Sequence, residues 1–330
     1  MNNFKKIGLT ALAASLVSVS AHAGALTAAG SASMNTEGHT GEQLDSGTTF
    51  SMGNSVTLTG SGELDNGMTV SVSFEMDDGA SNNTSSAFDS HSVTVSSESM
   101  GTLVLAGHGG STAASKIDTT AAGDMWDNFD EMSIGTATSL DAVAMSSAGD
   151  DSFFYTSPDL MDGLNVTLSY NPQGTATASG NGENPSETGY GINYTGVEGL
   201  SVSYATTDIE TNTASTSGDN DVLKVSYVYG PVTATYSNSE TDIESDTLSG
   251  ETDSYALSYT ISDELSVTYG SETHDQGDSS VDMEVEGVSV SYTSGGMTIS
   301  GKMQSLDNGN FATGTTNDAD YWALGASFAF

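Results

Sequence analysis

SFFYTSPDLMDGLNVTLSY, residues 152–170, is two strands joined by a tight turn. Phe153 and Tyr155 fall on one side of the first strand. Val166, Leu168 and Tyr170 fall on one side of the second, with Asn165, Thr167 and Ser169 on the other. A period of two is the mark of a strand with one apolar and one polar face. Pro158, Asp159, Asp162 and Gly163 supply the turn chemistry. Before this hairpin lies the longest irregular stretch of the chain, residues 107–150. After it the same hairpin unit recurs to the last residue.

The hairpin pattern decides against disorder, which the composition alone would suggest. The chain has 330 residues, 38 Gly, no Cys and a formal net charge of −39. Acidic, polar chains of this kind often stay unfolded, but here the apolar residues alternate in registered runs. Met68, Val70, Val72, Phe74 and Met76 oppose Thr69, Ser71, Ser73 and Glu75. Tyr255, Leu257, Tyr259 and Ile261 oppose Ser254, Ala256, Ser258 and Thr260. About sixteen such segments can be placed, from about 25–35 to 320–330, each near the 9–11 residues that a tilted membrane strand needs. Residues 283–293 break phase. Met283 and Val285 alternate in one register and Val288, Val290 and Tyr292 in the other, which predicts a bulge near Gly287 or a later strand start.

The N-terminus reads as a secretory signal over residues 1–23. Lys5 and Lys6 precede an apolar run, and Ala21-His22-Ala23 fits a small-residue cleavage site. The run is too short for a retained membrane helix. Residues 24–330 then form a single domain. Without cysteine there is no disulfide framework.

Connections between segments alternate between short and long, as in an up-and-down meander with turns at one end and loops at the other. The fold class this predicts is all-β: a transmembrane antiparallel up-and-down barrel of about 16 strands. Tyr170, Tyr204, Tyr236 and Tyr269 fall near one set of strand ends. Tyr194, Tyr227, Tyr259 and Tyr292 fall near the other, as in the two aromatic girdles of a lipid-facing barrel. Closure also removes sheet edges and satisfies backbone groups in lipid.

At this point the chain resembles the sixteen-stranded general diffusion porins of Gram-negative outer membranes. The resemblance rests on MGTLVLA (residues 100–106) running into a long loop, the hairpin after it, and the terminal DYWALGASFAF ending on Phe330. It implies a homotrimer in the outer membrane, in contact with lipid and lipopolysaccharide. It implies a water-filled channel for small hydrophilic solutes and cations. It also implies that the long loop after strand 5 folds into the barrel as a constriction. One departure matters. Porins of this family commonly set a row of Arg on the wall against loop acids, and this chain has no Arg.

The candidate site follows. On the constriction loop stand Lys116, Asp118, Asp124, Asp127, Asp130, Glu131 and Asp141. The alternation puts Glu75, Lys224 and Lys302 on the pore wall. Lys116, Lys224 and Lys302 are the only cationic side chains after the signal, so the lumen is expected to be electronegative and cation-selective. Asp219 and Asp221 are expected in an outer loop. The outward small residues of the first segment, Ala28, Gly30 and Ala32, are expected near a protein contact.

The acid clusters Asp77-Asp78, Asp127–Glu131 and Asp219–Asp221 offer oxygen ligands to Ca²⁺ or Mg²⁺, without an ordered loop motif. No other cofactor is implied. The five His form no pair at metal-ligand spacing, and no nucleophile elbow, phosphate loop or dinucleotide fingerprint stands out, so an enzyme is not expected. The charge opposes nucleic-acid binding. The alternative from another class is a secreted, acidic, Ser/Thr/Gly-rich adhesin or surface β protein. In a soluble sandwich of that kind the apolar faces would be buried.

Overall fold

Sixteen antiparallel strands pair in chain order, and the last pairs with the first. They are β1 Thr27–Thr40, β2 Thr48–Glu63, β3 Thr69–Asp77, β4 Ser90–Ser97, β5 Gly101–His108, β6 Ser152–Thr156, β7 Leu164–Asn171 and β8 Ser186–Tyr194, then β9 Leu200–Glu210, β10 Gly218–Tyr229, β11 Val232–Ile243, β12 Gly250–Ser262, β13 Leu265–Gln276, β14 Met283–Ser294, β15 Met297–Asp307 and β16 Ala319–Ala329. The sheet is a closed barrel. This computed structural model describes residues 26–41, 48–77, 88–117, 120–129, 151–172, 186–210, 217–244, 249–277 and 279–330. The signal-peptide reading lies outside them.

Closure is made by β1 against β16, from Ser31↔Ala329 to Thr40↔Asp320. The pair is sealed by reciprocal bonds, Gly30 N–H to the Phe330 carbonyl at 2.8 Å and Phe330 N–H to the Gly30 carbonyl at 3.0 Å. Small residues on the outer face of β1 make room for the aromatic rings of Trp322 on β16 and of Phe330, which follows it. A Cβ on Gly30 would meet the Phe330 ring at 2.5 Å, and one on Gly38 would meet Trp322 Nε1 at 2.7 Å. Part of the small-residue face of β1 is thus covered by the chain's own last strand.

The apolar faces of the strands are the exposed ones. Leu257 is 53% exposed, Tyr269 46% and Leu168 43%. In a soluble sandwich these faces would be the core, whereas in a membrane they contact lipid. All eight girdle tyrosines lie on this face. Tyr227, Tyr259 and Tyr292 sit beside the short turns, opposite Leu200, Val232 and Leu265. Tyr170, Tyr204, Tyr236 and Tyr269 sit nearer the long loops.

The opening hairpin forms as its turn residues dictate. Gly163 takes a left-handed φ of 68°, and the Leu160 N–H bonds to the Leu164 carbonyl at 2.7 Å. One expectation fails. Strand β14 has no bulge at Gly287 and no late start, since its register runs unbroken from Met283 to Tyr292 against β13. The phase change has another cause. Met283 and Val285 are the inward residues and are fully buried, whereas Val288, Val290 and Tyr292 are outward. Apolar side chains change face because something apolar lies inside the barrel.

The candidate constriction

What lies inside is the loop after β5. Its described parts, residues 109–117 and 120–129, touch at least nine strands, something a single segment can do only from within the lumen. The loop is tied to the wall mostly through its backbone amides. Ser169 Oγ on β7 accepts from Ala113 N–H at 2.8 Å, and Thr207 Oγ1 on β9 from Ala114 N–H at 3.2 Å. Ser254 Oγ on β12 accepts from Ala121 and Ala122 N–H at 3.0 and 3.1 Å. The last turn of the segment is a short 3₁₀ helix, Met125–Phe129. Its free amides meet a wall carboxylate: Glu272 of β13 accepts from Met125 N–H at 3.1 and 3.0 Å and from Trp126 N–H at 3.3 Å. Such charge-assisted bonds at a helical N-terminus are each worth about 1.5–3 kcal/mol.

Two apolar contacts complete the seat. Ala113, Ala114 and Ile117 pack on Ala205 of β9 and Val222 of β10. Met125 and Phe129 pack on Met283, Val285, Leu306, Ala319 and Tyr321 of β14, β15 and β16. Phe129 has no exposed surface, and full burial of such a side chain contributes about 1.5–3 kcal/mol. At the far end His39 Nε2 donates to the Asn128 carbonyl at 2.7 Å, and Asn128 Nδ2 donates to Gln304 Oε1 at 2.9 Å.

Each residue singled out in the sequence can now be placed. Lys116 is exposed on the loop and Asp127 is exposed beside Trp126. Asp124 is half-buried with φ 49°, and its N–H is bonded to Thr120 Oγ1. Asp118, Asp130, Glu131 and Asp141 lie outside the described residues. Glu75 faces the lumen, where it accepts from Ser90 Oγ at 3.1 Å. Lys224 also faces inward, and its Nζ donates to the Thr120 carbonyl at 3.0 Å. That makes it one of the ties holding the loop. Lys302 sits inward on β15 between Ser300 and Gln304.

The inner wall formed by β1 to β5 carries hydroxyls and carboxylates. Ser31, Ser55, Thr59, Ser71, Ser92 and Thr94 share that face with Glu37, Glu63, Glu75 and Asp77. Glu37 accepts from Tyr321 Oη at 2.7 Å and from Thr49 Oγ1 at 3.3 Å. Near the short-turn end Glu63, Thr69, Ser96, Glu98 and Thr102 line an open recess of about 700 Å³.

Sequence reading missed the wall residues Glu187, Glu272 and His274, all buried and inward. The available signal was charge at inward positions of β8 and β13. It also placed Asp219 and Asp221 in an outer loop. They belong to β10 and point outward, on the side away from the lumen. Among the described residues no three acidic or histidine side chains gather in a metal-binding group.

A closed sixteen-stranded barrel, lipid-facing apolar strands and a long loop seated inside are now in place. A family model of the Gram-negative porins matches residues 8–330. The chain belongs to the Gram-negative porins. A search of curated proteins returned no match. Solved structures share the porin fold at low identity. A porin aligns with a TM-score of 0.66 at 16% identity, covering 93% of this chain and 100% of that one. OmpF from Salmonella typhi, in complex with daunomycin, aligns at 0.67 and 16%, covering 92% and 97%. An anion-selective porin from Comamonas acidovorans aligns at 0.64 and 17%, covering 93% and 99%. The chain is therefore an outer-membrane channel protein, and the adhesin alternative is not favoured.

Proposed function

We propose that this porin passes small hydrophilic solutes by diffusion and prefers cations. Selectivity does not follow from the fold, since a porin of the same fold is anion-selective. The observation that carries the reading is the balance of charge in the lumen. The inner wall of β1 to β3 holds Glu37, Glu63, Glu75 and Asp77 among hydroxyls, and the chain has no arginine to oppose them. Of the three lysines after residue 6, Lys224 points at a loop carbonyl, which leaves less of its charge directed at passing ions. Two unit charges 4 Å apart interact by about 4 kcal/mol at an effective dielectric near 20. Several carboxylates around a narrow passage therefore outweigh Lys116 and Lys302 for a passing anion.

The test is the zero-current potential across a planar bilayer under a salt gradient. Cation preference is expected for the native protein. Replacing Asp124, Asp127, Asp130 and Glu131 by the amides should move the potential toward the anion side. Anion preference in the native channel would refute the reading.

A homotrimer is the assembly we infer from the family, with the small outward residues Ala28 and Ala32 of β1 at or near the contact. Cross-linking in mild detergent that gives only monomer would count against it.

A further inference from the structure

The connection from β15 to β16, residues 308–318, starts on an uncommon backbone. Asn308, Asn310 and Phe311 take left-handed φ values of 56°, 59° and 54°. Among the described residues five other than glycine do so, and three of the five fall in this stretch of four. Asparagine tolerates that conformation. A bulky aromatic in it is an outlier, and left-handed residues normally occur singly, whereas Asn310 and Phe311 are consecutive. Strain of this kind persists only where the surroundings over-determine it.

The surroundings of Phe311 are an apolar patch inside the barrel. Its half-buried ring packs against the cluster of Met283, Val285, Leu306, Ala319 and Tyr321, the same patch that seats Met125 and Phe129. Those wall residues stand at the long-loop ends of their strands, Val285 opposite Leu306 and Leu306 opposite Ala319. A side chain following β15 reaches them only if its segment folds inward from the rim. The start of the segment is clamped. Asn308 N–H donates to Asp318 Oδ1 and Asn308 Nδ2 to the Asp282 carbonyl, each at 3.2 Å. Gly309 is buried, Asn310 and Ala312 are half-buried, and residues 313–316 are exposed.

We propose that residues 308–312 form a strap over the long-loop end of the passage, held down by the Phe311 ring against its own backbone strain, and that this strap helps to set the size of solute admitted. The inference deepens the reading of the chain as a diffusion channel and rests on it. Two opposed contributions fix the position of the strap. Burial of the ring favours the seated position, and the left-handed backbone at Phe311 favours release. The strap is attached to the rim at Asn308 and to the inner patch at Phe311. Loss of the ring therefore frees the part that overhangs the passage while the attachment at Asn308 stays. Phe311 acts on passing solutes through the strap, as a positioning residue.

The experiment measures entry of a series of neutral sugars of rising size into liposomes that carry the protein, together with single-channel current. Neutral solutes report size alone and leave the question of ion preference aside. Phe311→Ala removes the ring and keeps a residue that disfavours the left-handed backbone. For the largest sugar that the native channel admits slowly, entry should rise about tenfold, the change in the seated-to-released ratio expected when a half-buried aromatic ring is lost. Its current should switch between two open levels. Phe311→Asn also loses the ring but suits the backbone, so it should fall between Phe311→Ala and native. Phe311→Leu keeps an apolar contact and should lie nearest native. A Phe311→Ala channel with the native size limit and native current would overturn the proposal, as would a Phe311→Leu channel indistinguishable from Phe311→Ala.

Thiol labelling tests the seating with the ring in place, so it does not depend on how the Phe311 variants fold. The chain has no cysteine, and a single introduced one is the sole target of a charged thiol reagent. Ala312→Cys should react several-fold more slowly than Thr313→Cys, its exposed neighbour. Adding Phe311→Ala should bring the two rates together. Equal rates with Phe311 present would overturn the strap. Native protein that admits no solute of any size would refute the channel reading instead, and the two labelling rates would then decide the seating by themselves.

Discussion

At the scale of single residues, the seat of the loop is cut by glycine. Gly270 of β13 lies directly under the loop, where an added Cβ would meet Ala122 Cβ at 2.6 Å and Met125 Sδ at 3.0 Å. Gly189 of β8 plays the same part farther back, 2.8 Å from Ala113 Cβ by the same construction. A glycine inside a strand often marks the close approach of another backbone. Replacing Gly270 by Val should leave the barrel closed, because the register on both sides of β13 is unbroken there. It should push the segment off the wall, at a cost of about 1–3 kcal/mol for overpacking. The expected outcome is a folded protein of lower single-channel conductance, since the displaced segment narrows the passage. Native conductance in Gly270→Val would show that the segment does not bound the passage at that point. Lys224 belongs to the same scale. Alternation alone was enough to put it inside, but not to tell that its ammonium would reach the Thr120 carbonyl.

At the scale of the element, the loop shows what the sequence discloses and what it withholds. The barrel was legible because strand alternation is a local property, repeated in sixteen segments and checked by the spacing of tyrosines. The course of the loop was not. Residues 109–129 carry no period, and the partners of the described ones come from at least nine strands. One trace was present and misread. The broken phase of Met283 and Val285 records an apolar patch on the inner wall, and its counterpart is Phe129. A phase change in a barrel strand can mean a bulge, or an apolar object inside. Burial of both residues beneath Phe129 decides for the second. Phe129→Ala should remove about 3–5 kcal/mol of seating while leaving the ties at Ser169, Thr207 and Ser254 in place. Amides of residues 120–129 should then exchange faster, with those of Ala113 and Ala114 little changed, and the open channel should become noisier. Equal exchange in both halves would mean that the loop moves as one body and that the two apolar seats are not independent.

At the scale of the whole molecule, two populations of carboxylates stand apart among the described residues. One faces the lumen: Glu37, Glu63, Glu75 and Asp77 on the wall, with Asp124 and Asp127 on the loop. The other faces outward on the long-loop half of the barrel, just beyond the tyrosines. Tyr204 Oη donates to Asp221 at 2.8 Å and Tyr236 Oη to Asp253 at 2.6 Å, while Asp208, Asp219, Glu240 and Glu251 stand nearby on the same face. The wall of the barrel separates the two, and they differ in how ions screen them. The outward population is open to bulk electrolyte. The lumen population lies in a confined passage, where the low-dielectric wall focuses its field. Screening lengths fall from about 10 Å at 0.1 M salt to about 3 Å at 1 M. Cation preference should therefore be large in dilute salt and shrink as salt rises. Neutralising Asp127 should lower the preference most at the dilute end and very little at the concentrated end. Neutralising Asp219 and Asp221 together should change it less than Asp127 does at any salt, because their field reaches the passage only across the barrel wall. Zero-current potentials for the native protein and these two variants, taken over that tenfold range of salt, separate the populations. An effect of the outward pair as large as that of Asp127 would mean that the charge governing entry sits on the rim, and that the loop acids are not the selective element.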